Sequence, residues 1–161
     1  MKAITCLLFF FIPAVLFAQT VEERTVDFIT QLKQNKSDTV YVINFWATWC
    51  KPCIEELPAF QKLDSLYKNQ KVKVILFSLD SKKQTEERLI PFLKKKQIAC
   101  TVYTTNVVEF NKRIDEIFPD WSGAIPATLV CGKTKEGILF FEKPVTFEEL
   151  EKIIHPLIVK P

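Results

Sequence analysis

Histidine is almost missing from this chain: His155 is the only one in 161 residues. That scarcity removes most metal and haem chemistry at once. A structural zinc takes four ligands, commonly from two Cys-x-x-Cys pairs. One such pair is present, and His155 stands far along the chain from it. Covalent haem attachment would want a histidine directly after Cys53, and that residue is Ile54. A basic stripe is also lacking. The net charge is +3 with acids and bases interspersed, which argues against nucleic acid as a partner. The one local run, Lys94-Lys95-Lys96, reads as the last turn of a helix, where cations complement the dipole. Repeats, linkers and low-complexity stretches are absent, so the chain after Ala18 reads as one domain with one core.

A long apolar run occurs once, from Ile4 to Phe17. It is shorter than the about 20 residues that a spanning helix needs. Lys2 before it and Ala18-Gln19-Thr20 after it fit a signal peptide over residues 1–18, with residues 19–161 as the exported domain. The alternative is an uncleaved N-terminal anchor that ties the chain to a membrane. Five cysteines remain to be sorted. Cys6 falls in the leader. Cys100 and Cys131 both read as strand residues, expected to be small buried hydrophobes. A second, structural disulfide between them is the alternative that an oxidising compartment permits.

Cys50 and Cys53 are different. Trp49-Cys50-Lys51-Pro52-Cys53 follows the apolar run Val40-Tyr41-Val42-Ile43-Asn44-Phe45-Trp46 and precedes a helical pattern. A thiolate at a helix N-terminus faces unpaired backbone N–H groups and the positive end of the macrodipole. Cys50 is therefore the expected nucleophile, its thiol drawn below the usual value of about 8.5. Cys53, one turn on, is expected to resolve the mixed disulfide and to close a Cys50–Cys53 redox disulfide. Pro52 fixes the backbone between the sulfurs. Lys51 adds a cation beside the nucleophile, partly screened by solvent. Trp49 is expected to shield the pair, and Trp46 to pack.

The stretch Asn44 to Cys53 resembles the active-site segment of the thioredoxin superfamily. With Ile54-Glu55-Glu56-Leu57-Pro58 it is most similar to the secreted TlpA/ResA-like thiol-disulfide oxidoreductases. Ala124-Ile125-Pro126-Ala127-Thr128-Leu129-Val130 resembles the segment that places a cis-proline opposite the disulfide. The resemblance implies a cis Ile125–Pro126 bond, with the backbone of Ile125 offered as a short edge to a partner's extended segment. It also marks a departure. Cytosolic thioredoxins carry a buried aspartate, which handles protons for the second cysteine, where this chain has Asn44. Asparagine does not ionise, so Glu56, one turn after Cys53, is the nearest carboxylate for that task. Its alternative role is an acid complementing the helix N-terminal half. Glu109 is a more distant candidate.

Pattern reading along the chain predicts a helix over 21–34, a buried strand over Val40–Trp46 and the active-site helix over Cys50–Lys68, bent at Pro58. A second strand runs from Val72 to Leu79, a helix from Glu86 to Gln97 with an interruption at Pro91, and a short strand from Cys100 to Thr104. Asn106, with Glu109 at N3, opens a helix to Ile117. Ala127–Cys131 and Gly137–Phe141 form a hairpin. Thr146 and Glu149 make a capping box for a last helix to Ile158. The order implies an α/β fold: a thioredoxin-like α/β/α sandwich with a central mixed sheet and an extra α-β insertion over 84–117.

The function that the resemblance implies is an exported, periplasmic enzyme that reduces disulfides of exported proteins, apocytochrome c among them. It would be fed by a membrane electron donor, with no separate cofactor and no metal. A membrane-anchored location facing outside the cytoplasm is the alternative. A disulfide oxidant or isomerase is the competing enzyme reading. A metal-binding thioredoxin-like module is the competing non-enzyme, but it wants Cys-x-x-x-Cys spacing plus a histidine ligand, whereas the spacing here is Cys-x-x-Cys and His155 stands far from it. Single-cysteine peroxidase chemistry fits the paired motif poorly.

Overall fold

A computed structural model describes residues 21–35, 37–132 and 137–158. The leader proposed for residues 1–18 lies outside them. Six strands form one sheet in the order β1-β4-β3-β2-β5-β6. They are β1 (Glu22–Glu23), β2 (Val40–Trp46), β3 (Val72–Ser78), β4 (Thr101–Thr104), β5 (Ala127–Gly132) and β6 (Leu139–Phe141). From β1 to β2 the pairs are parallel, whereas β5 runs antiparallel to both β2 and β6. The sheet is therefore mixed, with β2 at its centre.

The side-chain alternation of β2 assigns its two faces. Val40, Val42 and Trp46 enter one core cluster. The helices over them are α2 (Lys51–Tyr67), α4 (Ile90–Lys96) and α7 (Phe147–Ile158). Ile43 and Phe45 enter the opposite cluster, beneath α1 (Val26–Gln34), α5 (Val107–Asn111) and α6 (Ile114–Ile117). There Phe45, Phe77, Phe110 and Trp121 form an aromatic group, with Phe45 and Trp121 centroids 4.7 Å apart. Burial of each such ring contributes about 1.5–3 kcal/mol. Helices on both faces of a mixed sheet are the expected α/β/α sandwich, and α3 (Lys82–Gln84) through α6 supply the extra segment around β4.

Several boundaries differ from those expected. The first helix starts at Val26, because Glu22 and Glu23 pair in parallel with Tyr103 and Thr104 and so form β1. The third helical run starts at Lys82, where Ser81 and Gln84 close a reciprocal capping box. It continues through a π-helical turn, Thr85–Leu89, in which Ile90 N–H bonds Thr85 O. That change of register just ahead of Pro91 accommodates the proline's missing donor. The helix opened by Asn106 breaks at Lys112 and Arg113 into α5 and α6.

Gly132 closes β5 at φ +95°, and a Cβ there would stand 2.2 Å from Thr39 O. Glycine is required on both grounds. Cys100 packs in the α2-side cluster and Cys131 in the opposite one, so the sheet separates them. The second disulfide does not form, and burial pushes each thiol up to about 12.

Candidate active site

The site lies where β2 and β3 end. Leu79 N–H bonds Trp46 O at 2.8 Å, and Cys50 N–H bonds Ala47 O at 3.1 Å, closing a tight turn from Ala47 to Cys50. This turn delivers Cys50 as the N-cap of α2, in extended conformation (φ −90°, ψ 99°), with Pro52 in the first helical turn. The Cys50 sulfur accepts the Cys53 N–H at 3.3 Å, so a helix-end donor that would otherwise be unpaired points at the sulfur. Cys50 and Cys53 are joined in a disulfide. Cys50 keeps 6% exposure and Cys53 none. The difference between the two is as expected, but Cys50 is far less open than an N-terminal position suggests.

The neighbours divide into contributors and bystanders. Trp49 is 56% exposed beside the pair, whereas Trp46 is fully buried and packs on Phe92. Lys51 is open to solvent and lies 3.8 Å from Glu55, a partner that the sequence reading overlooked. Its charge is shared and screened, which weakens the thiolate support expected of it. Across the site the Ile125–Pro126 bond is cis, and the Ile125 carbonyl oxygen lies 3.8 Å from Cys50 Sγ. The preceding segment is held by Glu142, whose carboxylate accepts the N–H groups of Ser122 and Ala124 at 3.3 and 3.2 Å and the Ser122 hydroxyl. Trp121 Nε1 donates to Ala124 O at 2.9 Å. No periodicity singles out Glu142, because its partners lie on a different loop.

Beneath the pair, Asn44 and Glu56 meet. Asn44 Nδ2 donates to Glu56 Oε1 at 2.7 Å, and Val145 N–H donates to Glu56 Oε2 at 2.8 Å. Asn44 also faces Ala127 O and Thr128 Oγ1 at 3.4 and 3.3 Å. Burial raises the Glu56 carboxyl to about 7, against the pull of the Val145 and Asn44 hydrogen bonds. Desolvation of the charged form wins over two donors. Glu56 is thus a buried group that titrates near neutrality, one turn from Cys53. A carboxyl raised to about 7 carries only part of a charge at neutral pH with which to complement the helix N-terminal half. Glu109 is on α5 under the other face, paired with Lys112 at 2.8 Å, and is not part of the site.

Among the described residues no three His, Cys, Asp or Glu side chains gather where a metal ion could sit. Among them, too, no helix is long and apolar enough to cross a membrane. What the arrangement can do is exchange a disulfide: a slightly exposed sulfur at a helix end, a fully buried sulfur one turn on, and a carboxyl that can hold or release a proton.

Comparison with known proteins agrees. The AhpC/TSA family model matches residues 17–137. Sporulation thiol-disulfide oxidoreductase A of Bacillus subtilis is 26% identical over 141 residues, covering 88% of this chain and 78% of that protein. Thiol-disulfide oxidoreductase ResA of Geobacillus kaustophilus is 28% identical over 120 residues, covering 74% of this chain and 62% of that relative's length. The crystal structure of StoA from Bacillus subtilis superposes with a TM-score of 0.58 at 22% identity, over 74% of this chain and 84% of that one. The chain belongs to the AhpC/TSA family, with a thioredoxin-like fold and the paired cysteines of a thiol-disulfide oxidoreductase.

Proposed function

We propose that the protein is an exported reductase of disulfides in other exported proteins. The observation that carries this reading is the placement of Cys50 as the N-cap of α2, its sulfur receiving the Cys53 N–H while Cys53 is wholly buried. In the reduced enzyme the Cys50 thiolate attacks one sulfur of a substrate disulfide. The substrate's other sulfur leaves as a thiolate, and a mixed disulfide with Cys50 remains. Cys53 then loses its proton and attacks Cys50 Sγ, which forms the Cys50–Cys53 bond and releases the second substrate sulfur. Substrate disulfide and enzyme dithiol have become substrate dithiol and enzyme disulfide. Glu56 takes the Cys53 proton, since a carboxyl near 7 is matched to transfer at neutral pH. Asn44 orients that carboxyl instead of titrating.

The partly open backbone at Ile125, beside Cys50 Sγ, is where a substrate's extended segment docks. The residue 1–18 leader supports export to the periplasm. An electron donor at the membrane then returns two electrons and two protons. Resemblance to the ResA-type branch points to apocytochrome c cysteines among the substrates. The oxidant reading is disfavoured because no histidine or second fixed cation stands in the motif to stabilise the Cys50 thiolate further.

The test is reduction of insulin disulfides by the dithiothreitol-fed enzyme. Cys50→Ser abolishes catalysis, whereas reduced Cys53→Ser, freed of dithiothreitol before insulin is added, accumulates a mixed disulfide through Cys50, seen by non-reducing mass spectrometry. A mixed disulfide through Cys53 in the Cys50→Ser variant, with activity retained, refutes the assignment.

A further inference from the structure

Asp80 is wholly buried, and the exchange chemistry makes no use of it. It stands just past the end of β3, beside the turn that carries the cysteines. Its Oδ2 accepts the Thr48 N–H at 3.0 Å and the Ser78 hydroxyl at 2.7 Å, and its Oδ1 accepts the Thr48 hydroxyl at 2.6 Å. The Asp80 N–H returns to Ser78 Oγ at 3.1 Å. Both carboxyl oxygens are thus met by hydrogen-bonding groups, one of them the backbone Thr48 N–H. The three donors are neutral, so they satisfy its lone pairs without cancelling its charge. Thr48 lies inside the turn from Ala47 to Cys50. A buried negative charge is thus bonded directly to the turn whose last residue caps α2.

We infer that Asp80 is a positioning residue that fixes the Ala47–Cys50 turn and whose charge opposes the α2 dipole at Cys50, holding the couple on its reducing side. This rests on the reading of Cys50–Cys53 as an exchange centre. The helix end favours the Cys50 thiolate, and whatever favours the thiolate stabilises the reduced form and raises the potential. A fixed negative charge nearby, screened little because it is buried, works the other way. Lys51 does not offset it, being paired with Glu55 in solvent.

The test uses the full chain and two variants with opposite expected signs. Asp80→Asn keeps the shape and removes the charge. It lowers the apparent pKa of Cys50, read from iodoacetamide rate against pH, by about one unit. It also shifts the equilibrium with glutathione about tenfold toward the enzyme dithiol, or about 30 mV. In that equilibrium two glutathione thiols reduce the bond and leave as glutathione disulfide. Thr48→Val keeps the charge and removes the donor to Oδ1, so both readings move the other way. A purely structural role loosens the turn in both variants, and shifts of the same sign overturn the inference, as do two unshifted variants. Should Asp80→Asn fail to fold, Thr48→Val decides alone: a raised Cys50 pKa supports the inference, and an unchanged or lowered one overturns it. A wild-type chain that never exchanges with glutathione overturns the exchange reading and this inference together. A wild type that exchanges while the variants stay put overturns this inference alone.

Discussion

Replacing Glu56 by glutamine separates its proton from its packing. The carboxyl is raised from 4.5 to about 7 in the folded chain. A group raised on folding stabilises the native state most when protonated. Its contribution is complete below 4.5 and is lost as pH rises to about 7. The 2.5-unit difference corresponds to at most about 3 kcal/mol, at 1.36 kcal/mol for each unit. Glutamine does not titrate, and its Oε1 still accepts from Asn44. Its NH2 group, however, faces the Val145 N–H, a donor against a donor, at a cost of about 1–3 kcal/mol. Urea unfolding of the oxidised protein at pH 5, 6, 7 and 8 is the assay. The variant is less stable at pH 5 by about 1–3 kcal/mol, and the two curves converge toward pH 8 as the wild type loses its protonated advantage. Parallel curves across that range refute the buried titrating carboxyl, and with it the proton role given to Glu56.

Gly132→Ala places a Cβ on Thr39 O in a left-handed backbone, so it destabilises by more than about 1 kcal/mol in the same assay; no loss refutes the close approach of β5 to the start of β2. The thiols of Cys100 and Cys131, each pushed up to about 12 by burial, stay unmodified by iodoacetamide at pH 8 in the native protein, while Cys50 of the reduced enzyme reacts. Rapid labelling of either core thiol refutes their burial.

The site was legible because its signals are local. A continuous apolar strand, then a turn, then Cys-x-x-Cys opening a helix marks β2, α2 and the Cys50–Cys53 pair by adjacency alone. Thr146–Glu149 was equally readable, since a capping box closes within one turn: Thr146 N–H to Glu149 Oε2 at 2.8 Å and Glu149 N–H to Thr146 Oγ1 at 3.2 Å. What escaped is held by distant partners. Glu22 and Glu23 are poor strand formers and pair only because β4 offers an edge. Asp80 and Glu142 resemble ordinary loop acids until the fold brings Thr48 and Ser122 to them. Glu56 was found by helix spacing, but its proton affinity depends on burial and on Val145, 89 residues away.

The reduction potential of the Cys50–Cys53 couple tests the reductase reading most directly. Equilibration with glutathione or dithiothreitol buffers, followed by the fluorescence of Trp49, which stands exposed beside the pair, gives the value. A helix dipole favouring the thiolate, a screened Lys51 and a buried Asp80 charge leave only moderate stabilisation of the reduced form. The potential therefore lies nearer about −270 mV, as in thioredoxin, than about −120 mV, as in a strong oxidant. A value near −120 mV contradicts the reductase reading and makes the protein a disulfide donor.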